Sequence, residues 1–183
     1  DIEDGSATVE DNSFENVDKT FLNDQSGSLD LTAVVDANDF SKTPVVSDAQ
    51  DQIIRQAGEN EALVVESATF ETGTSAIQDA VDDGSTDTDD TILVGSNADG
   101  NTYDRVDITT SGLTIESVAD AESTVISDSD SSDAVETVSV QAAGVTLDGF
   151  TVKRTNANDK AAQALAVRNA DGDRVEITDN TIN

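Results

Sequence analysis

The sequence predicts an all-β protein whose short strands wind into a right-handed parallel β-helix, a β-solenoid with one or two short capping helices. Three observations support this prediction. Short apolar runs recur from residue 90 onward, separated by turn residues. We predict no two-residue hairpin turn between these runs, which disfavours an antiparallel sheet. Two similar passages place Asn12 and Asn38 26 residues apart, close to the length of one solenoid coil.

Residues 1–48 are predicted to form β-helix-like coils. In both similar passages the asparagine, Asn12 or Asn38, is followed two residues later by phenylalanine. Such asparagines are candidates for ladder residues, whose side-chain amides bond the backbone at the corner of a coil. Short alternating runs at residues 19–22 and 28–31 predict brief strands between the two passages.

Residues 49–75 are predicted to be a linker with a short helix. The helix prediction covers residues 48–57, with Ser47 as its N-cap and Gly58 just after its end. A run of β-type residues at 62–66 then predicts one further strand.

Residues 76–183 are predicted to begin a β-helix with a capping helix and to continue as successive coils. Ile77, Ala80 and Val81 share one face of a short helix. Because so short a helix is only marginally stable alone, it needs a surface to cover. Glycines stand where the chain must turn between strands. The predicted strands are residues 91–94, 105–108, 113–116, 124–126, 137–140, 145–147, 150–152, 164–167, 175–177 and 181–182.

The net charge of −30, from 39 acidic and 9 basic residues, dominates the composition. Self-repulsion of this size opposes compaction in dilute buffer. A disordered acidic tail, an acidic surface that captures a basic partner and a halophilic protein would all carry such a charge. The even spread of charge, the excess of aspartate over glutamate and the small number of lysines favour the halophile. In salt at about 1 M, carboxylates are screened within about 3 Å.

The composition also excludes several classes of function. The chain has no Cys, Met, Trp or His, so thiolate metal sites and His-dependent catalysis are excluded within it. We expect no nucleic-acid partner, because phosphate would repel a chain with this charge. No apolar run approaches the length needed to span a membrane, and we expect no cofactor.

An ordered series of motifs runs through residues 76–182. An amphipathic helix at 76–81 is followed by a strand at 90–94. A passage at 101–108 then holds Tyr103 before two β-branched positions. The series resembles the start of a pectin-lyase-like right-handed parallel β-helix, although Asn and Arg stand where that passage usually has Gly and Glu. The resemblance implies a haloarchaeal surface or secreted protein but no reaction, because this fold carries lyases, hydrolases, adhesins and inert stalks.

One motif of the same family stands out of order. Residues 175–182 resemble a late coil of such domains. The passages around Asn12 and Asn38 resemble the same late coils, although they come before the capping helix in the sequence. Residues 1–48 are then the last coils of a preceding β-helix in a tandem array, or coils that stack on another molecule, or a segment that folds back on its own domain. The first two explanations predict that the last coil exposes strand edges.

Acidic residues offer candidate ligands for calcium, which prefers carboxylate oxygens. The candidates are Asp87, Asp89, Asp90, Asp128 and Asp130. The chain has neither the nonapeptide of calcium β-rolls nor an EF-hand loop. With 39 acidic residues, carboxylate pairs also arise by coincidence. Salt-screened loops therefore explain these aspartates without a metal, and no catalytic residue is predicted.

Basic residues late in the chain offer a second candidate site. Lys153 and Arg154 are adjacent, and Arg168 and Arg174 fall in the following coils, so the four could face an acidic polysaccharide. The alternative is that they pair with neighbouring carboxylates and relieve local repulsion. Tyr103 and the five phenylalanines are few for the aromatic platforms of a sugar site, and phenylalanines suit inward stacks.

The sequence favours a non-catalytic, extracellular or cell-surface module of a halophilic archaeon, structural or adhesive. Such a module would self-associate head-to-tail into a surface layer, stalk or filament, as the out-of-order coils at residues 1–48 suggest. One alternative is a carbohydrate-active domain of the lyase or hydrolase type that acts on an acidic polysaccharide. Another is an anionic module whose loops recruit cations or basic proteins, with binding that weakens as salt is added.

Overall fold

The computed structural model describes residues 8–15, 17, 20–23, 30–42, 45–47, 52–98, 100–128, 136–154, 163–168 and 174–183. Its contacts divide the chain into two compact units, Asp1–Gln56 and Ala57–Asn183. Short strands dominate both units, and two short helices accompany them among the described residues. The prediction of an all-β protein is confirmed.

The first unit contains two strands that pair in parallel. Its elements are β1 (Ser13–Glu15), β2 (Thr20–Asn23), α1 (Leu31–Asp36), β3 (Asp39–Lys42), β4 (Val45–Ser47) and β5 (Gln52–Arg55). β1 pairs in parallel with β3, and Ser13 lies opposite Asp39. Parallel neighbours require a crossover connection, so the chain between β1 and β3 returns to the same end of the pair. That residues 1–48 form coils of a β-helix stays a prediction.

A helix begins where the sequence predicts the end of a strand. The predicted strand at residues 28–31 is wrong at Leu31, which opens α1. Asp30 is the N-cap, and its Oδ1 accepts a hydrogen bond of 3.1 Å from the backbone N–H of Ala33. The helix buries Leu31 and Val34 in a small apolar cluster. The capping acceptor and the apolar pair on one helical face therefore favour a helix more strongly than the alternating pattern favours a strand.

The segment before the second unit is extended rather than helical. The predicted helix at residues 48–57 is wrong over its described part, because Gln52–Arg55 forms β5. β5 lies between β2 and β4 and runs antiparallel to both. Ile54 is fully buried there. Adjacent isoleucines suit a strand at least as well as a helix, and pairing on both edges decides between the two.

The second unit is a parallel β-helix. It begins with β6 (Glu61–Val64), β7 (Thr69–Thr72) and α2 (Ala76–Asp82). The strands that follow are β8 (Thr91–Val94), β9 (Val106–Ile108), β10 (Thr114–Ser117), β11 (Val125–Asp128), β12 (Val138–Val140), β13 (Thr146–Asp148), β14 (Thr151–Arg154), β15 (Leu165–Val167), β16 (Glu176–Thr178) and β17 (Thr181–Ile182). The first sheet has the strand order β16-β13-β10-β8-β6-β7, in which β8, β10, β13 and β16 are parallel and β6 and β7 add antiparallel pairs. β11, β14 and β17 form a second, parallel sheet, and β9, β12 and β15 form a third. The chain visits the sheets in turn, so each circuit is one coil.

The sequence predicts the strands of this unit closely. All ten strands predicted after residue 90 are present, and their ends differ from the prediction by at most two residues. The expected lack of tight hairpins among them also holds, since β13 and β14 are consecutive yet belong to different sheets. Gly149 lies between them with a φ of 79°, a left-handed conformation that glycine adopts without strain. Its backbone turns the corner of a coil.

Apolar side chains stack in register from coil to coil and form the core. In the first sheet, Ile92, Ile115, Leu147 and Ile177 occupy equivalent positions of neighbouring strands. The first three are at most 1% exposed. Burial of apolar area contributes about 25 cal/mol per Å². These columns are therefore the main source of stability in the second unit.

One end of the β-helix is closed. β6 pairs antiparallel with β8 and occupies the edge that a further parallel strand would need. The apolar face of α2 is buried in the core, as its prediction as the capping helix requires. Gln78 also takes the place of a neighbouring strand, because its Oε1 accepts a hydrogen bond of 2.7 Å from the backbone N–H of Asp107 in β9. The helix thus covers backbone as well as side chains.

Candidate functional site

An asparagine holds a corner of the last coil in the second unit. The Oδ1 of Asn180 accepts a hydrogen bond of 2.8 Å from the backbone N–H of Phe150. Its Nδ2 donates one of 2.8 Å to the carbonyl of Leu147. The side chain thus satisfies two backbone groups of the preceding coil, each bond contributing about 1 kcal/mol. The prediction that Asn180 is a ladder residue is confirmed.

The first unit repeats this arrangement. The Oδ1 of Asn38 accepts a hydrogen bond of 3.0 Å from the backbone N–H of Asn12, and its Nδ2 donates one of 2.9 Å to the carbonyl of Val9. The side chain of Asn12 also donates to Asn38 Oδ1 at 3.0 Å. Two residues further on, the rings of Phe14 and Phe40 stack with centroids 4.7 Å apart. Asparagine hydrogen bonds and a phenylalanine stack therefore join the two similar passages.

The corners at Asn12 and Asn180 share one backbone geometry. The preceding residues, Asp11 and Asp179, have left-handed φ values of 59° and 49°. Each asparagine also donates from Nδ2 to the carbonyl two residues earlier, at 2.9 Å for Asn12 and 2.6 Å for Asn180. Left-handed residues other than glycine are uncommon. The corners at Asn12 and Asn180 therefore have a left-handed residue in common, whereas Ala37, which precedes Asn38, has a φ of −85°.

The last coil of the second unit presents an open face. Val167 and Ile182 are the exposed large hydrophobic side chains of the described part of the chain, at 48% and 46%. Both end a core column, since Val167 follows Val140 in the third sheet and Ile182 follows Val152 in the second. Within the described residues, the backbone N–H of Asn180 donates no hydrogen bond. The face has the polar and apolar groups that a further coil would cover.

The basic residues that the sequence singles out lie on and after β14, and Arg168 and Arg174 bind carboxylates of described residues. They are Lys153, Arg154, Arg168 and Arg174. Arg168 forms an ion pair with Glu136, and Arg174 Nη1 lies 2.9 Å from Glu176 Oε1. Both arginine side chains are more than half exposed, so these pairs add little stability. Lys153 is exposed on β14. A role for the four in binding a ligand stays a prediction.

The pair of Arg168 and Glu136 gives a test of the pairing interpretation. The hydrogen bond from Arg168 holds the pKa of Glu136 below its ordinary value of 4.5. The stabilisation is therefore complete above that value and is lost as the pH falls through the lowered pKa. Replacing Arg168 with Gln is expected to raise the pKa of Glu136, as measured by NMR titration of its carboxyl group. Arg174→Gln is the control, and equal responses to the two changes would contradict the pair.

Among the described residues, the aspartates predicted as calcium ligands do not form a metal-binding cluster. Asp87, Asp89 and Asp90 share the loop before β8, where Asp90 Oδ2 accepts a hydrogen bond of 2.8 Å from the backbone N–H of Asp87. Asp128 ends β11, and Asp130 lies outside the described residues. In the described part of the chain, no three acidic side chains converge on a metal site. Asp90 thus closes its loop, and calcium binding stays a prediction.

Two of the aromatic side chains lie deep inside the β-helix. Tyr103 is fully buried, and its hydroxyl donates to the carbonyls of Gly95 at 2.9 Å and Glu61 at 3.1 Å. Burial raises the pKa of Tyr103 above its ordinary value, so the hydroxyl remains a donor. Phe150 is also fully buried. Neither ring can serve as a platform for a sugar.

Comparisons with protein families, with curated proteins and with solved structures found no match. In the described ranges, neither helix has the length and apolar character needed to cross a membrane. The candidate site of the second unit is therefore the open face of its last coil. The first unit, taken by itself, has a corner at Asn12 that is also preceded by a left-handed aspartate.

Proposed function

We propose that the protein is a non-catalytic structural module that stacks head-to-tail into an extended assembly at the surface of a halophilic archaeon. The observation that carries this proposal is the open face, where Val167 and Ile182 end two core columns while exposed to solvent. The coil pair of the first unit supplies a corner, at Asn12, with the geometry of the last coil. Two different surfaces that fit each other form a heterologous contact, which extends into a filament unless its rotation closes a ring.

Composition supports a high-salt environment, and the resemblance supports a place at the cell surface. A net charge of −30 keeps such a surface soluble in concentrated salt, where carboxylates are screened from one another. The resemblance of residues 76–182 to pectin-lyase-like β-helices is compatible with a role that needs no chemistry, because that fold carries adhesins and inert stalks as well as enzymes. A stack of coils has the repeated, one-dimensional construction of a fibre or spacer.

We expect the purified chain to self-associate, and the associated fraction to rise with protein concentration and with salt. Salt screens the repulsion between acidic surfaces that must approach each other, with a Debye length of about 8 Å at 0.15 M and about 3 Å at 1 M. Sedimentation velocity at the two salt concentrations measures the association, and electron microscopy shows whether the particles join end to end. If the protein were instead an anionic module that recruits basic partners, its binding to those partners would weaken as salt is added.

Two matched variants locate the contact. Ile182→Asp places a charge on the open face, where the side chain is half exposed and the fold tolerates it, and should return the protein to the monomer. Thr72→Asp places the same charge on an exposed residue of β7, at the closed end, and should leave association unchanged. A parent chain that stays monomeric at every salt and protein concentration would overturn the proposal.

A further inference from the structure

We propose that the junction between copies is one further step of the asparagine ladder, in which Asn12 of one copy caps the corner at Asn180 of another. The inference rests on the proposed head-to-tail function and adds the contacting residues and their register. Its basis is a pair of complementary polar groups. Within the described residues, the backbone N–H of Asn180 has no acceptor and the Oδ1 of Asn12 has no donor.

The two coil pairs in the structure define how these groups meet. In each pair, the asparagine of the later coil accepts from the backbone N–H at the equivalent corner of the earlier coil. Its Nδ2 donates to the carbonyl three residues before that corner, which is Val9 for Asn38 and Leu147 for Asn180. At the junction, this rule places Asn12 Oδ1 on the N–H of Asn180. Asn12 Nδ2 reaches the carbonyl of Ile177 in exchange for its bond to Asn38 Oδ1, because its other hydrogen is donated to the carbonyl of Glu10.

The same register continues the strands. Ser13 lies opposite Asp39 in the first unit, and Thr181 lies opposite Thr151 in the second. At the junction Ser13 of one copy therefore lies opposite Thr181 of the other. A coil in this position also covers Ile182, which is 46% exposed. The residues before the two corners, Asp11 and Asp179, already share a left-handed φ.

The charges at this junction make it dependent on salt. Asp11 and Asp179 occupy the equivalent corner position of the two coils, so their carboxylates become neighbours when the coils stack. Two carboxylates about 5 Å apart repel by about 0.8 kcal/mol in water. Salt at about 1 M screens charges within about 3 Å. The ladder supplies direction and register, and salt permits the approach.

Disulfide cross-linking tests the register, because the parent chain has no cysteine. Ser13→Cys and Thr181→Cys are made in separate proteins, mixed at about 1 M NaCl and oxidised. Neighbouring strands place opposite Cα atoms about 4.8 Å apart, within the range of a disulfide. The mixture is expected to give a disulfide-linked dimer on non-reducing gels, roughly tenfold faster than either protein alone.

A second mixture, of Ser13→Cys with Thr178→Cys, controls for random collision. Both substituted residues are exposed, but the offset of three residues separates the Cα atoms by about 10 Å, beyond the reach of a disulfide. Equal rates in the two mixtures, in a parent that self-associates, overturn the ladder junction and leave the head-to-tail function standing. A parent that never associates overturns both.

A chain that carries Ser13→Cys and Thr181→Cys together separates contact between copies from contact within one copy. The ladder junction between copies predicts linear disulfide-linked oligomers at high protein concentration. An internal disulfide that forms quantitatively at every protein concentration, with no oligomers, would place the coil on its own molecule. That result overturns the inference.

Discussion

Replacing Phe150 with alanine is expected to lower the free energy of unfolding by about 3–5 kcal/mol. The ring is fully buried in the core of the β-helix, and removing it leaves a cavity that closely packed columns fill only in part. The backbone N–H of residue 150 keeps its acceptor on Asn180, so the loss reports packing of the side chain rather than the corner. Urea unfolding followed by circular dichroism measures the change.

Val167→Ala is the matched control for this prediction. Its side chain is 48% exposed at the end of a column, so the expected loss is within about 0.5 kcal/mol. Phe150→Leu should fall between the two variants because it restores part of the buried volume. If Phe150→Ala cost no more than Val167→Ala, the ring would not be packed as the structure shows.

Raising the salt concentration from about 0.01 M to about 1 M is expected to stabilise the folded chain by several kcal/mol. Two carboxylates 10 Å apart repel by about 0.4 kcal/mol in water, and the net charge of −30 creates many such pairs on folding. Over this range the Debye length falls from about 30 Å to about 3 Å. The unfolded chain holds the same charges further apart, so screening favours the folded state. The midpoint of thermal unfolding should rise over the whole of this range of salt concentration.

The pH provides the control for the effect of salt. Near the isoelectric point, about 4.1, the carboxylates are largely neutralised and little repulsion is left to screen. The dependence on salt should therefore be much smaller there than at pH 7. An equal dependence at both pH values would mean that salt acts through hydration of apolar groups rather than through screening.

The strands of the second unit could be predicted because their signals are local. Each is a short apolar run between turn residues, and the corners carry residues suited to left-handed backbone, such as Gly149 and Asp179. The strands of the first unit are harder to predict from the sequence. Residues 52–55 fit a helix or a strand equally well, and pairing with distant strands decides between them. β7 has no signal of its own, because its hairpin turn uses Ala68 at a φ of 54° instead of glycine.

The candidate site divides in the same way. The repeated motif identifies Asn12, Asn38 and Asn180 directly, because a ladder asparagine must recur at the same corner of each coil. Nothing local predicts that Gln78 bonds a strand 29 residues away, or that Arg168 binds a carboxylate 32 residues away. These contacts depend on the length of each coil and on which coil is the last. Both are known only from the three-dimensional arrangement of the coils.

The closed end of the β-helix also gives the molecule a mechanical polarity. Each coil is held by its neighbours alone, and β6 and α2 add further contacts at one end only. A pulling force therefore peels the coils away from the open side, one at a time. The coil from Thr146 to the equivalent Glu176 contains 30 residues and releases about 100 Å of chain when it unwinds. A fibre of such units would lengthen in steps under load instead of breaking at once.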